Sequence, residues 1–135
     1  MGALARALAS LIGEPVALPA EVASRYPELA AVRLRRGGIA VRVAGWCLGQ
    51  RSVSAITLWR TVFVGADTPL HAELLLHEMR HVHQFQASAA FPLQYLWESL
   101  RRGYQANRFE VDARAYAASR VSAVNPTTDL RRGDV

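Results

Sequence analysis

Apolar residues recur at helical spacing near the start of the chain and through its second half, and at alternate positions in one early stretch. From Ala3 to Ile12, Leu4, Leu8, Leu11 and Ile12 share one side with Arg6 off it, and Gly13 then Pro15 stop the pattern, which predicts a packing helix. Pro19-Ala20-Glu21 opens a short second helix that must end before Pro27, because the residue preceding a proline is pushed out of the helical region. From Ala31 to Arg36 and from Ile39 to Ala44 apolar residues alternate with arginine, the period-2 signature of half-buried strands. Gly37-Gly38 between them predicts a two-residue hairpin turn, with the arginines on its solvated face. Val53 to Val64 predicts a third strand, closed by Gly65-Ala66-Asp67.

The apolar run from Leu70 to Phe85 predicts the central helix, with Asp67 or Thr68 as N-cap and Pro69 in the first turn, where its missing N–H costs nothing. On a helical wheel Leu70, Leu74, His77, His81 and Phe85 form one stripe while Leu75, Met79 and Val82 lie opposite, so this helix is expected to be buried on most sides. After the small-residue break Ala87 to Ala90, Leu93, Leu96, Trp97 and Leu100 mark the inner side of a short amphipathic helix ended by Gly103. The last helix is predicted from about Tyr104 to Val121, with Phe109, Ala113, Tyr116, Ala117 and Val121 facing inward. These elements predict an α+β fold, a small antiparallel-rich sheet against the central helix and a C-terminal helix. One domain is expected over residues 1–123, followed by a polar, flexible tail over 124–135.

Composition narrows the classes. With 135 residues, half of them hydrophobic, the chain can build a core without disulfides, and its single Cys47 reads as a small buried residue between Trp46 and Leu48. The opening segment lacks a basic start followed by a continuous apolar run, and no stretch is long enough to span a bilayer, so a cytoplasmic protein without a membrane partner is expected. The net charge is +5 and all sixteen basic residues are arginine, but they are scattered in pairs at most, which points away from nucleic acid. Nothing in the pattern speaks to oligomeric state.

The candidate chemistry lies within the central helix, in His77-Glu78-Met79-Arg80-His81. Positions four apart in a helix lie about 40° apart round the axis and roughly 6 Å along it, so both imidazoles leave the same face. Imidazole nitrogen suits zinc, and Glu78 flanks that face, where a carboxylate can act as general base toward metal-activated water. Histidines and a glutamate on a helix ringed by apolar residues need a reason, because an unpaired buried charge is costly. A catalytic zinc keeps three protein ligands, so a third is required; Glu98, Glu110, Asp112, Asp129 and Asp134 are the downstream carboxylates. Glu110, in mid-helix among apolar residues, is favoured, with Asp112 as its rival or as the group that holds an imidazole N–H from outside. His71 and His83 fall off the stripe and are expected not to be ligands.

His77-Glu-x-x-His81 on one helix and Glu110 on a later one resemble the gluzincin arrangement of zinc metallopeptidases. His77-Glu-Met-Arg-His-Val-His-Gln84, with Tyr-x-x-Asn-Arg-Phe-Glu110-x-Asp-Ala, is similar to small bacterial zincin-like domains, over roughly Val53 to Ser119. The resemblance implies a zincin-like fold with a twisted sheet against the motif helix, one zinc held by His77, His81 and Glu110, and Glu78 as general base. It implies a peptidase, endopeptidase rather than exopeptidase, acting on a peptide or protein; the alternative is a zinc-binding domain without proteolysis. An extended substrate would add to the strand ending near Phe63. Tyr104, Arg108, His83 and Tyr116 are candidates to stabilise the oxyanion, and Gln84 and Tyr95 to support the cleft. The chain departs from the pattern in a longer interval between His81 and Glu110, and in Arg114, where thermolysin-like enzymes carry an aspartate.

Overall fold

A computed structural model describes residues 2–39, 41 and 55–125. In chain order these form helix α1 (Ala3–Ile12), a two-residue strand β1 (Glu14–Pro15), helix α2 (Ala20–Arg25), a 3-10 turn (Pro27–Ala31) and strand β2 (Arg33–Arg36). Then come β3 (Ala55–Leu58), β4 (Thr61–Val64), and helices α3 (Ala72–Ala87), α4 (Phe91–Arg102) and α5 (Arg108–Val124). The fold is α+β. The sheet runs β1-β2-β4-β3, with β2 and β4 parallel and the other two pairings antiparallel.

α3 lies between this sheet and α5. Its Leu75, Leu76, Met79 and Val82 pack with Leu34, Val62 and Val64 of the sheet, with Tyr26 and Leu29, and with Ala117 of α5. Ala113 and Ala117 are fully buried, and such small side chains let two helix backbones approach closely. Among the described residues no helix is long and apolar enough to cross a membrane.

Several expectations need correction. Gly37-Gly38 does not turn a hairpin: β2 pairs with β1 and β4, and Ile39 and Val41 are helical rather than extended. Gly38 instead packs against Gly13, where a Cβ on Gly38 would come within 2.9 Å of the Gly13 nitrogen. The arginines beside it are not simply solvated either. Arg35 donates to the carbonyls of Ile12 and Gly13 at the end of α1, and Arg36 donates to those of Gly65, Ala66 and Thr68 ahead of α3. The remainder of the predicted Ile39–Ala44 strand, Cys47 and the tail from residue 126 lie outside the described residues.

The predicted third strand is a hairpin, β3 and β4, turning at Trp59 and Arg60. Trp59 has φ 54°, rare for a bulky residue, and its ring rests 5.7 Å from that of Phe85. β4, which ends at Val64 beside Phe63, is therefore paired on both sides and has no edge to offer a substrate; among the described residues the edge strands are the two-residue β1 and β3.

α3 begins later than predicted because His71, not Asp67 or Thr68, is its N-cap, with Nδ1 accepting from the Leu74 N–H. α5 begins at Arg108 because Asn107 caps it, and it runs to Val124. In α4 the predicted inner residues face solvent, and Phe91 and Glu98 are buried instead. The apolar side of α1 is exposed as well.

Gly13 has φ 69°, and a Cβ there would lie 2.7 Å from the Arg36 carbonyl oxygen. Gly13→Ala is therefore expected to destabilise the fold by more than about 1 kcal/mol, read as a lowered urea midpoint with an unchanged slope.

Candidate metal centre

The site is built by two helices. α3 carries His77 and His81 one turn apart, their ring centroids 5.0 Å from each other. α5 delivers Glu110 in its first turn, where the unpaired backbone N–H groups favour negative charge. That position follows from Asn107, which is fully buried: its Oδ1 accepts from the Phe109 N–H, and its amide donates to the Tyr95 carbonyl and to Ser99 Oγ. One side chain thus starts α5 and ties it to α4.

His77 Nε2 lies 2.9 Å from Glu110 Oε2, and His81 Nε2 lies 3.1 Å from Glu110 Oε1. The ligand-capable atoms of the three residues all fall within 4.8 Å of one another, and His81 and Glu110 are buried. Among the described residues this is the group of His, Cys, Asp or Glu side chains that could hold a metal ion. Two imidazole nitrogens and a carboxylate oxygen, presented on rigid helices, are a donor set that fits a divalent transition metal.

Outer contacts orient these groups. Gln84 donates through its amide to the Phe109 carbonyl (3.1 Å) and to Asp112 Oδ2 (3.0 Å), so its Oε1 points to His81 Nδ1 at 2.7 Å. An oxygen there accepts only from Nδ1–H, which leaves His81 Nε2 as the coordinating nitrogen. Asp112, the rival for third ligand, is not in the cluster. It takes two hydrogen bonds from Arg80, which hold its carboxyl below the usual range, and it is joined to His81 by hydrogen bonds through Gln84. Glu98 also lies apart, facing Arg102 and Arg108.

Burial alone would raise the Glu110 carboxyl, but hydrogen bonds from His77, His81 and Tyr95 outweigh it and hold the group well below the carboxylate range. Burial likewise opposes charge on His81, yet the Glu110 hydrogen bond and the charges of Glu78 and Glu110 raise its pKa to about 9. Tyr95 donates its hydroxyl to Glu110 Oε1 at 2.6 Å, and burial together with the Glu110 charge pushes that phenol far up. Burial and the same carboxylates push Tyr104 up to about 12. Both phenols stay protonated as donors.

Glu78 is buried beneath β3. The Thr57 hydroxyl lies 2.7 Å from Glu78 Oε2 and 3.1 Å from the Glu78 carbonyl oxygen, linking β3 to α3. Sequence reasoning gave Thr57 no role, because its part depends on how β3 registers against the helix. Gln84 was open to view, three residues after His81 and so on a neighbouring helical position.

Of the oxyanion candidates, Tyr104 lies close enough to Glu110 for that carboxylate to raise its phenol. Arg108 covers the Phe109 ring, and Tyr116 packs against Arg80 and His83. His71 caps α3. No family model, curated protein or solved structure matches the chain.

Two outcomes follow from this geometry. Gln84→Ala should weaken metal affinity by about 10- to 100-fold in competition with a chelator, while His83→Ala leaves it within about twofold. Equal loss in the two variants would contradict the role given to Gln84. The second outcome concerns protons. Metal-free His81 is raised above neutrality and so is protonated at pH 7, whereas a ligating imidazole is neutral; metal uptake at pH 7 should release about one proton from it, and the release should fade as pH rises past about 9. An indicator dye in weak buffer measures this.

Proposed function

We propose that this chain is a zinc-dependent metallopeptidase with a zincin-like, gluzincin-type centre. Zinc would be held by His77, His81 and Glu110, one ion per chain, with Glu78 as general base. The observation that carries the reading is the convergence of those three ligand-capable atoms from α3 and α5, with a buried carboxylate one residue after His77. A three-residue donor set leaves room for water or substrate, as catalytic zinc sites do, whereas structural sites close with four ligands. When bound, zinc supplies Lewis acidity, polarising a carbonyl oxygen and activating water near neutral pH.

The chain's own residues have separate tasks in this reading. His77 and His81 bind, and Gln84 keeps the His81 ring in register. Thr57 engages Glu78 Oε2, so Oε1 takes the proton from the water that attacks the peptide carbonyl carbon. The same carboxyl then passes that proton to the amine nitrogen as the C–N bond breaks. Tyr104, a protonated phenol near Glu110, is the candidate donor to the carbonyl oxygen as it gains charge. An extended substrate would add to β3, which lies on α3 beside Glu78, and cleavage within a chain rather than at its end suits a strand-addition site.

Glu78→Gln is expected to retain metal and lose hydrolysis of an unstructured protein substrate by about a hundredfold or more. His77→Ala is expected to lose the metal itself, read by metal analysis after dialysis. Unchanged hydrolysis in Glu78→Gln would remove Glu78 as the base, and full zinc retention in His77→Ala would remove His77 from the ligand set. Zinc-loaded protein without hydrolysis of any peptide would leave a zinc-binding domain that does not cleave.

A further inference from the structure

α4 turns its apolar stripe outward. Phe91 and Glu98 are buried on its inner side with Tyr95, and at about 100° per residue Leu93, Leu96, Trp97 and Leu100 fall opposite. Their exposures are 73, 55, 60 and 75%. The exposed residues of α4 are these four, Pro92, Arg101 and Arg102, and the only acid on the helix, Glu98, is buried beneath them. α1 repeats the pattern: Leu4, Leu8, Leu11 and Ile12 are exposed, and Arg6 is its only charged residue.

We propose that the outer face of α4 docks on the surface of an anionic lipid bilayer. Leu93, Leu96, Trp97 and Leu100 enter the boundary between headgroups and acyl chains, and Arg101 meets the anionic headgroups, with the half-exposed Arg102, which also faces Glu98, beside it. Single exposed apolar residues are ordinary on a protein surface, but a contiguous stripe of leucine and tryptophan marks an interaction face. Helices that lie in a bilayer interface carry such a stripe with basic residues beside it, and tryptophan favours the headgroup level. Charge selects the occupant. A second copy of this chain would bring its own Arg101 and Arg102 to a face that exposes no acid, whereas an anionic leaflet attracts each arginine and a chain of net charge +5.

The contact is peripheral, since no helix among the described residues can cross the bilayer. It differs from the sequence-based expectation of no membrane partner, and it stands independently of the metal reading. Because the inner side of α4 carries Tyr95, hydrogen-bonded to Glu110, docking would set the His–Glu cluster about one helix diameter, roughly 10 Å, from the headgroups.

Sedimentation of the full chain with vesicles tests the proposal, using neutral phosphatidylcholine alone and with about 30% phosphatidylglycerol added. Wild type is expected to partition at least about tenfold more strongly onto the anionic vesicles, with the preference reduced in about 0.5 M salt. The Leu96→Glu/Leu100→Glu variant, altered only at exposed positions and checked for fold by circular dichroism, should lose binding by at least about tenfold. Arg101→Gln should weaken the anionic preference and retain the fold. Wild type remaining in the supernatant with both vesicles, or the double variant binding as well as wild type, overturns the proposal. So does a dimer in solution that the double variant abolishes without any wild-type vesicle binding, since a second copy would then own the face.

Discussion

The junction on which the surrounding structure depends is a buried carboxylate held between two imidazoles of another helix. A lone ionised carboxylate at the depth of Glu110 would be strongly disfavoured, and its hydrogen bonds to His77, His81 and Tyr95 are what keep it charged there. Each contact needs an element fixed to within a fraction of an ångström. Asn107 sets where α5 begins, and therefore where Glu110 stands; Ala113 and Ala117 let α5 lie close to α3; Tyr95 reaches in from α4. The helices are arranged as this polar centre requires, while the apolar core fills the opposite side of α3 against the sheet.

The two glutamates of the site differ in what holds them, which suits a division of labour. Glu110 faces two imidazoles and a phenol, so both of its oxygens are engaged. Glu78 is held through one oxygen by the Thr57 hydroxyl, a neutral donor on β3. In the proposed reading the first is committed to the metal and the second carries protons. Arg80, Asp112 and Gln84 extend the order outward from His81, a hydrogen-bonded chain that links the partly exposed Asp112 to a nearly inaccessible imidazole.

The parts legible in the sequence are those that depend on spacing within one element. A spacing of four from His77 to His81 places two rings on one face whatever the helix packs against, and Glu110 stood out because its neighbours are apolar. Juxtapositions between elements were not legible in this way. Periodicity locates the apolar stripe on α4 but does not say which side meets the core, and here the aromatic Phe91 and Tyr95, with Glu98, took the inner side. Gly37-Gly38 has the composition of a hairpin turn, yet Gly38 serves a close backbone approach to Gly13, and the actual hairpin turns at Trp59 with no glycine. His71 resembles an idle histidine until it is seen accepting from Leu74 N–H at the start of α3.

The charge state of the metal-free centre bears on what kind of site this is. With His81 raised to about 9 and Glu110 held ionised, the cluster satisfies itself as a buried ion pair backed by Gln84 and Tyr95. Structural zinc sites close with four ligands, and the small domains built on them unfold when the metal is removed. Here the helices that carry the ligands are also fixed by Asn107, by the Thr57 link to β3 and by a core on the far side of α3. Three donors leave a coordination position to spare. In the proposed reading that position is where water and substrate would meet the metal.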